Sequence, residues 1–223
     1  KAHFKWYTLW LAASAMLVYT ITYGWLNYNG DISYGRLTRI PFQEVQWYHA
    51  AAPAVLLLLT RKGIPVSTTF LVLSAFASFT VLEKVLMKSI VGYGVAALSA
   101  YLIWVVLERY INEKKDHPEH IKFWRVGQWV TSGWLWFAWL QHDMANIAVF
   151  LPRQLMLGDL LMVLVATVAI LGYVFYTGGG RIQEVVINKH GTRFARSSTI
   201  INLVYAFVLY FFKELNDLPM STT

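Results

Sequence analysis

The sequence predicts an all-α integral membrane protein, and three observations carry that expectation. Of 223 residues, 57% are hydrophobic and 14% charged, against about 25% charged in an ordinary soluble domain. That is too little charge to cover a water-facing surface. Apolar runs near helix-spanning length recur, and one of them, WYTLWLAASAMLVYTITYGWL from Trp6 onward, has no polar face. The ten tryptophans and thirteen tyrosines suit belts at the headgroup level of a bilayer. The mean hydropathy of +0.46 agrees.

Taken in order, the apolar spans fall at 6–28, 46–60, 64–82, 90–108, 124–142, 158–177 and 198–212. Lengths near 20 match a hydrocarbon core of about 30 Å. The 46–60 span is short and holds Pro53. Short or interrupted helices point to transporter binding sites. If each span crosses once, 13 of the 19 Lys and Arg residues share one side. The positive-inside rule places that side in the cytoplasm. The expectation is a multi-pass protein of the cell, or inner, membrane. The net charge of +7 lies in short loops between apolar runs, so no nucleic-acid partner is expected. The chain has no cysteine, which excludes disulfides, thiolate catalysis and thiolate metal sites.

A polar cluster occurs twice, as Pro65-Val66-Ser67-Thr68-Thr69 and as Pro219-Met220-Ser221-Thr222-Thr223. The two serines stand 154 residues apart, and the same shift pairs Gly24 with Gly178. An odd number of expected crossings separates the paired points, so the second unit would be inverted relative to the first. Inverted repeats around a midplane site are a transporter architecture. Proline suits a first helical position. The turn that follows has free N–H groups, a positive dipole end and added hydroxyl donors. Such a turn receives an oxyanion without Lys or Arg. One copy alone reads better as an ordinary helix start with hydroxyls capping backbone; two copies in one register favour a site.

A second cluster is LQHDMANIAVFLP. Asp143 and Asn146 are three apart and share a face if helical. A carboxylate with amide oxygens suits a hard monovalent cation or a proton. The alternative places Asp143 in a loop, capping a helix. His49 lines the pathway or bonds backbone, and Arg153 attracts anions or anchors at the interface. Gly178-Gly179-Gly180 reads as a helix end, since no P-loop Lys-Ser/Thr follows. His117 and His120 read as part of a solvated loop.

Together these residues resemble the inorganic phosphate transporter (PiT) family, whose relatives include sulfate permeases. Each inverted half of that family carries G-A-N-D-x-A-N and, further on, P-V-S-T-T. Asp143-Met144-Ala145-Asn146 matches D-x-A-N, Gly179-Gly180-Arg181-Ile182 resembles the glycine pair that follows, and both P-x-S-T-T copies match in the family's order. Leu140-Gln141-His142 stands where the family has Gly-Ala-Asn, and Phe70 replaces the usual His. The expected coupling ion is sodium or a proton; His142 in place of that Asn counts against sodium, and a histidine titrating near neutral pH suits protons.

The resemblance implies an inverted-repeat transporter with short or broken helices at the P-x-S-T-T motifs. Residues 1–123 would be the later part of the first repeat and 124–223 the earlier part of the second, so the chain reads as a central piece of a longer transporter. The function expected is cation-coupled secondary transport of inorganic phosphate or sulfate, not enzymatic catalysis. Ser67, Thr68, Thr69, Ser221, Thr222 and Thr223 would hold the anion; Asp143, Asn146 and His142 would serve cation coupling. The expected partners are the anion, the lipid bilayer and a second copy in a homodimer, with no cofactor and no resident metal. Two alternatives stand beside this: a membrane-embedded metal-dependent hydrolase using His142, Asp143 and His49, and a structural subunit of a membrane complex.

Overall fold

The structure, a computed structural model, describes residues 5–38, 40–64, 66–81, 121–179 and 195–210, and ten single or paired positions between 83 and 105. The elements are α1 (Trp6–Asn27), a 3₁₀ turn (Trp47–Ala50), α2 (Ala51–Arg61), α3 (Thr68–Ser74), α4 (Ile121–Ala148), α5 (Leu157–Tyr176) and α6 (Ala195–Leu209). No strand occurs among the described residues.

Among the described residues two helices, α1 and α5, are long and apolar enough to cross a membrane. At 1.5 Å per residue each is about 30 Å long. Both match their predicted spans closely, because each run is continuously apolar and gives way to polar or glycine residues at its ends. The Asp159 carboxylate accepts from the Met156 N–H at the start of α5 (3.2 Å). Gly178 and Gly179, at φ 73° and 74°, close its end by donating to Phe175 and Val174 carbonyls. That is the helix end read from the glycine run.

Packing divides the chain into two compact units, 1–81 with 139–190 and 222–223, and 82–138 with 191–221. The expected halves 1–123 and 124–223 divide it by repeat, which is a different division. In the first unit α1 and α5 run antiparallel. The Trp6 ring meets Tyr176 edge-on at 5.5 Å. The Trp10 indole donates to the Val168 carbonyl (3.1 Å), and the Trp25 indole donates to the Leu155 carbonyl (2.8 Å). Gly172 makes room, since a Cβ there would lie 3.1 Å from the Trp10 indole nitrogen.

The 28–40 loop docks on the segment before α5. Leu155 N–H donates to the Gly30 carbonyl (3.0 Å), and Arg153 Nη2 donates to the Ile40 carbonyl (2.9 Å). Asp31 takes the N–H groups of Ser33 and Gly35 (2.7 and 3.0 Å). Ile32, Leu37 and Ile40 are buried beneath. Gly30 sits at φ +89°, and a Cβ there would be 3.1 Å from both backbone N and O of Leu155. Gly30→Ala is expected to destabilise the protein by at least about 1 kcal/mol from left-handed strain alone, read as a lowered thermal midpoint in detergent. An unchanged midpoint would show that this docking contributes nothing.

The 64–82 expectation is corrected. Instead of one span, α3 stops at Ser74 and a turn covers Ala75–Phe76. The Phe76 carbonyl takes the Gln43 side-chain N–H (3.2 Å). Its ring is stacked on His49 (centroids 4.1 Å) and meets Phe150 edge-on (5.0 Å). The 46–60 span becomes the 3₁₀ turn and α2, with Pro53 in the first turn of α2, where it interrupts no hydrogen bond. The 124–142 span is the middle of a longer helix, α4.

In the second unit the first part of α4 packs on α6. Thr199 Oγ1 donates to the Trp124 carbonyl (3.0 Å), with its methyl against Gly127. Asn202 Nδ2 donates to Ser132 Oγ (2.8 Å), and Trp134 meets Phe207 edge-on (5.0 Å). Such interhelical bonds and small residues hold apolar helices together in lipid.

Candidate functional site

The start of α3 and the last turns of α4 meet in the first unit. Thr69 Oγ1 accepts a hydrogen bond from Asn146 Nδ2 (3.2 Å) and lies 3.4 Å from His142 Nε2. These contacts bridge 77 and 73 residues of sequence. They join the first P-x-S-T-T copy to D-x-A-N. His142 and Asn146 are four apart, so one face of α4 carries both. Each is buried, at 7% and 9% exposure.

Asp143 is half-buried, with Oδ1 out of solvent. It lies inside α4, five residues before its end, so the loop-and-cap alternative does not hold. Asn146 Oδ1 is buried and finds no hydrogen-bond partner among the described residues. An amide oxygen in that state is a ready ligand for a hard cation.

Ser67 has extended backbone and takes the Phe70 N–H on its hydroxyl (3.4 Å). Here the plain capping reading describes what Ser67 does. Thr68 opens α3 and is partly exposed. At seven residues, α3 has too few aligned peptides for a full macrodipole, so a site here rests on side-chain hydroxyls more than on a helix end. Ser221, Thr222 and Thr223, and likewise Pro65, Pro219, Gly180, Arg181, Ile182, His117 and His120, lie outside the described residues.

The bond-to-backbone reading of His49 is the observed one. Its Nδ1 accepts from the Gln46 N–H (2.9 Å), and it is 1% exposed. Among the described residues no three His, Cys, Asp or Glu side chains converge as metal ligands. The His49, His142 and Asp143 trio of the hydrolase alternative is not assembled. Arg153 is bonded to the Ile40 carbonyl and lies over the Phe42 ring at 5.9 Å, which ties the loop down. Burial lowers its pKa from the usual arginine value, and Asp31 opposes that.

No protein-family model, curated protein or solved structure matches the chain. The PiT resemblance therefore rests on the residues quoted for it.

Tyr34 was not visible as a site neighbour in the sequence. Its hydroxyl donates to the Thr20 carbonyl (2.6 Å) and bonds the Gln141 side chain, next to His142. Burial pushes its phenol above the ordinary range, while the Gln141 bond pulls it down. It holds φ 59°, uncommon for a bulky residue. Its ring lies over Gly24, where a Cβ would stand 2.8 Å away. The one sequence signal for it was the paired Gly24.

Proposed function

We propose that the protein is a multi-pass membrane transporter of the PiT type, which carries inorganic phosphate or sulfate coupled to a cation. One observation carries this reading. The hydroxyl of Thr69 and the amide of Asn146, from two motifs read as anion and cation sites, bond each other at 3.2 Å. Of the expected anion residues Ser67, Thr68 and Thr69, the first two would hold the anion, since the Thr69 hydroxyl faces Asn146 and His142, with Ser221, Thr222 and Thr223 supplying the other half of the site. Asp143 and Asn146 would hold the coupling ion, sodium or a proton, and His142 would favour a proton.

Two further features support it. The 154-residue shift that superposes the polar clusters also lays α1 over most of α5. Those two helices are packed antiparallel, as the counterparts of an inverted repeat would be. Their outward apolar side chains, Leu11, Leu161, Met162, Val165 and Ile170 among them, suit lipid.

A second reading draws on the same bond. Interhelical hydrogen bonds also serve as packing glue in lipid, as a structural subunit of a membrane complex would use them. Uptake separates the two. The full-length protein in liposomes is expected to accumulate labelled phosphate or sulfate when a sodium or a pH gradient is imposed, each gradient tested alone. Uptake no faster than in empty liposomes under both gradients overturns transport and leaves the subunit reading.

A further inference from the structure

We propose that Thr69 is the link that couples the two ion sites, and not a ligand of the anion. The inference rests on the transport reading above. A threonine hydroxyl has one proton and two lone pairs. Asn146 Nδ2 donates to one lone pair at 3.2 Å, and His142 Nε2 lies 3.4 Å away on the same α4 face. The hydroxyl of Thr69 is thus turned to α4, while Ser67 and Thr68 precede it on the segment read as the anion site.

The amide of Asn146 has two ends. Its nitrogen holds Thr69, and its oxygen is buried without a hydrogen-bond partner among the described residues. The group is planar and rigid. A cation that draws the oxygen therefore also moves the nitrogen, and with it Thr69 and the start of α3. Through that lever, cation binding sets the positions of Ser67 and Thr68. By linkage the anion must affect the cation by the same factor. Thr69 is a positioning residue in this scheme.

The test measures inorganic phosphate binding by the full-length protein in lipid nanodiscs under three conditions: without sodium, with saturating sodium, and at lower pH without sodium. In the unmodified protein, sodium or added protons are expected to raise phosphate affinity by at least about fivefold, the usual lower bound of coupling. Thr69→Val and Thr69→Ala both remove the hydroxyl. In each, that ratio is expected to fall close to one, with cation-free affinity within about twofold of the original, as for sites that no longer interact. Thr69→Ser restores the hydroxyl and is expected to restore the ratio.

The link is overturned if the hydroxyl-free variants keep the ratio. It is also overturned if they lose phosphate affinity equally in all three conditions while Thr69→Ser binds normally, because Thr69 would then be an anion ligand. An unmodified protein that binds no phosphate, or binds it indifferently to both cations, overturns the transport reading itself and the link with it.

Discussion

Replacing two hydroxyls together, as Ser67→Ala with Thr68→Val, is expected to weaken phosphate binding by at least ~100-fold. Ser67 spends an oxygen lone pair on the Phe70 N–H, which leaves its own O–H proton to donate. Thr68 brings a second donor at the first residue of α3. A hydrogen bond to a charged partner contributes about 1.5–3 kcal/mol, so losing two reaches or exceeds the stated factor. Loss of the Ser67 cap costs about 1 kcal/mol of local stability as well. That second effect acts on folding, so affinity is measured on the folded fraction in nanodiscs. Unchanged affinity in the double variant would remove the hydroxyl segment from the anion site.

Asp143→Asn is expected to act on a different quantity. The substitution keeps the shape of the side chain and deletes its charge. Under the transport reading that carboxylate would lie at membrane depth, where a charge costs about 2.5–3.5 kcal/mol on insertion scales. Gradient-driven uptake is expected to fall at least about tenfold, while equilibrium phosphate binding without a gradient changes less, because coupling and binding are separable free energies. Measuring both on one reconstituted sample gives the comparison. Uptake that still follows the gradient would take the coupling role away from Asp143.

Much of the helical framework was legible in the sequence. The runs that became α1 and α5 are continuous and of spanning length, so their ends fell where polar or glycine residues begin. Polar residues three and four apart in LQHDMAN share a helix face, which is how His142 and Asn146 come to meet Thr69. The identity of the bridging hydroxyl was not legible. It depends on where α3 begins, and the extended backbone of Ser67 leaves Thr69 to point at α4. The break after Ser74 was hidden as well; past it, the Phe76 carbonyl takes a bond from the Gln43 amide, 33 residues earlier in the chain. Tyr34 was missed for a similar reason. Its left-handed backbone and its seat over Gly24 are set by tertiary contacts, and no local spacing encodes them.

The two indole bonds that α1 makes, one to Val168 in α5 and one to Leu155 just ahead of α5, have a mechanical consequence. Trp10 and Trp25 are fifteen residues apart, roughly 22 Å along the helix axis at 1.5 Å per residue. A pair fastened near both ends resists sliding and twisting together. A shift of one residue would pull both N–H groups off their carbonyls. The two helices therefore behave as a single strut. Any rocking motion in this unit must find its pivot elsewhere. Under the transport reading the pivots would be the interruptions at Lys62–Ile64 ahead of α3 and at Ala75–Ser78 behind it. The segment with the anion hydroxyls would then be the moving part, swung against a frame that stays fixed.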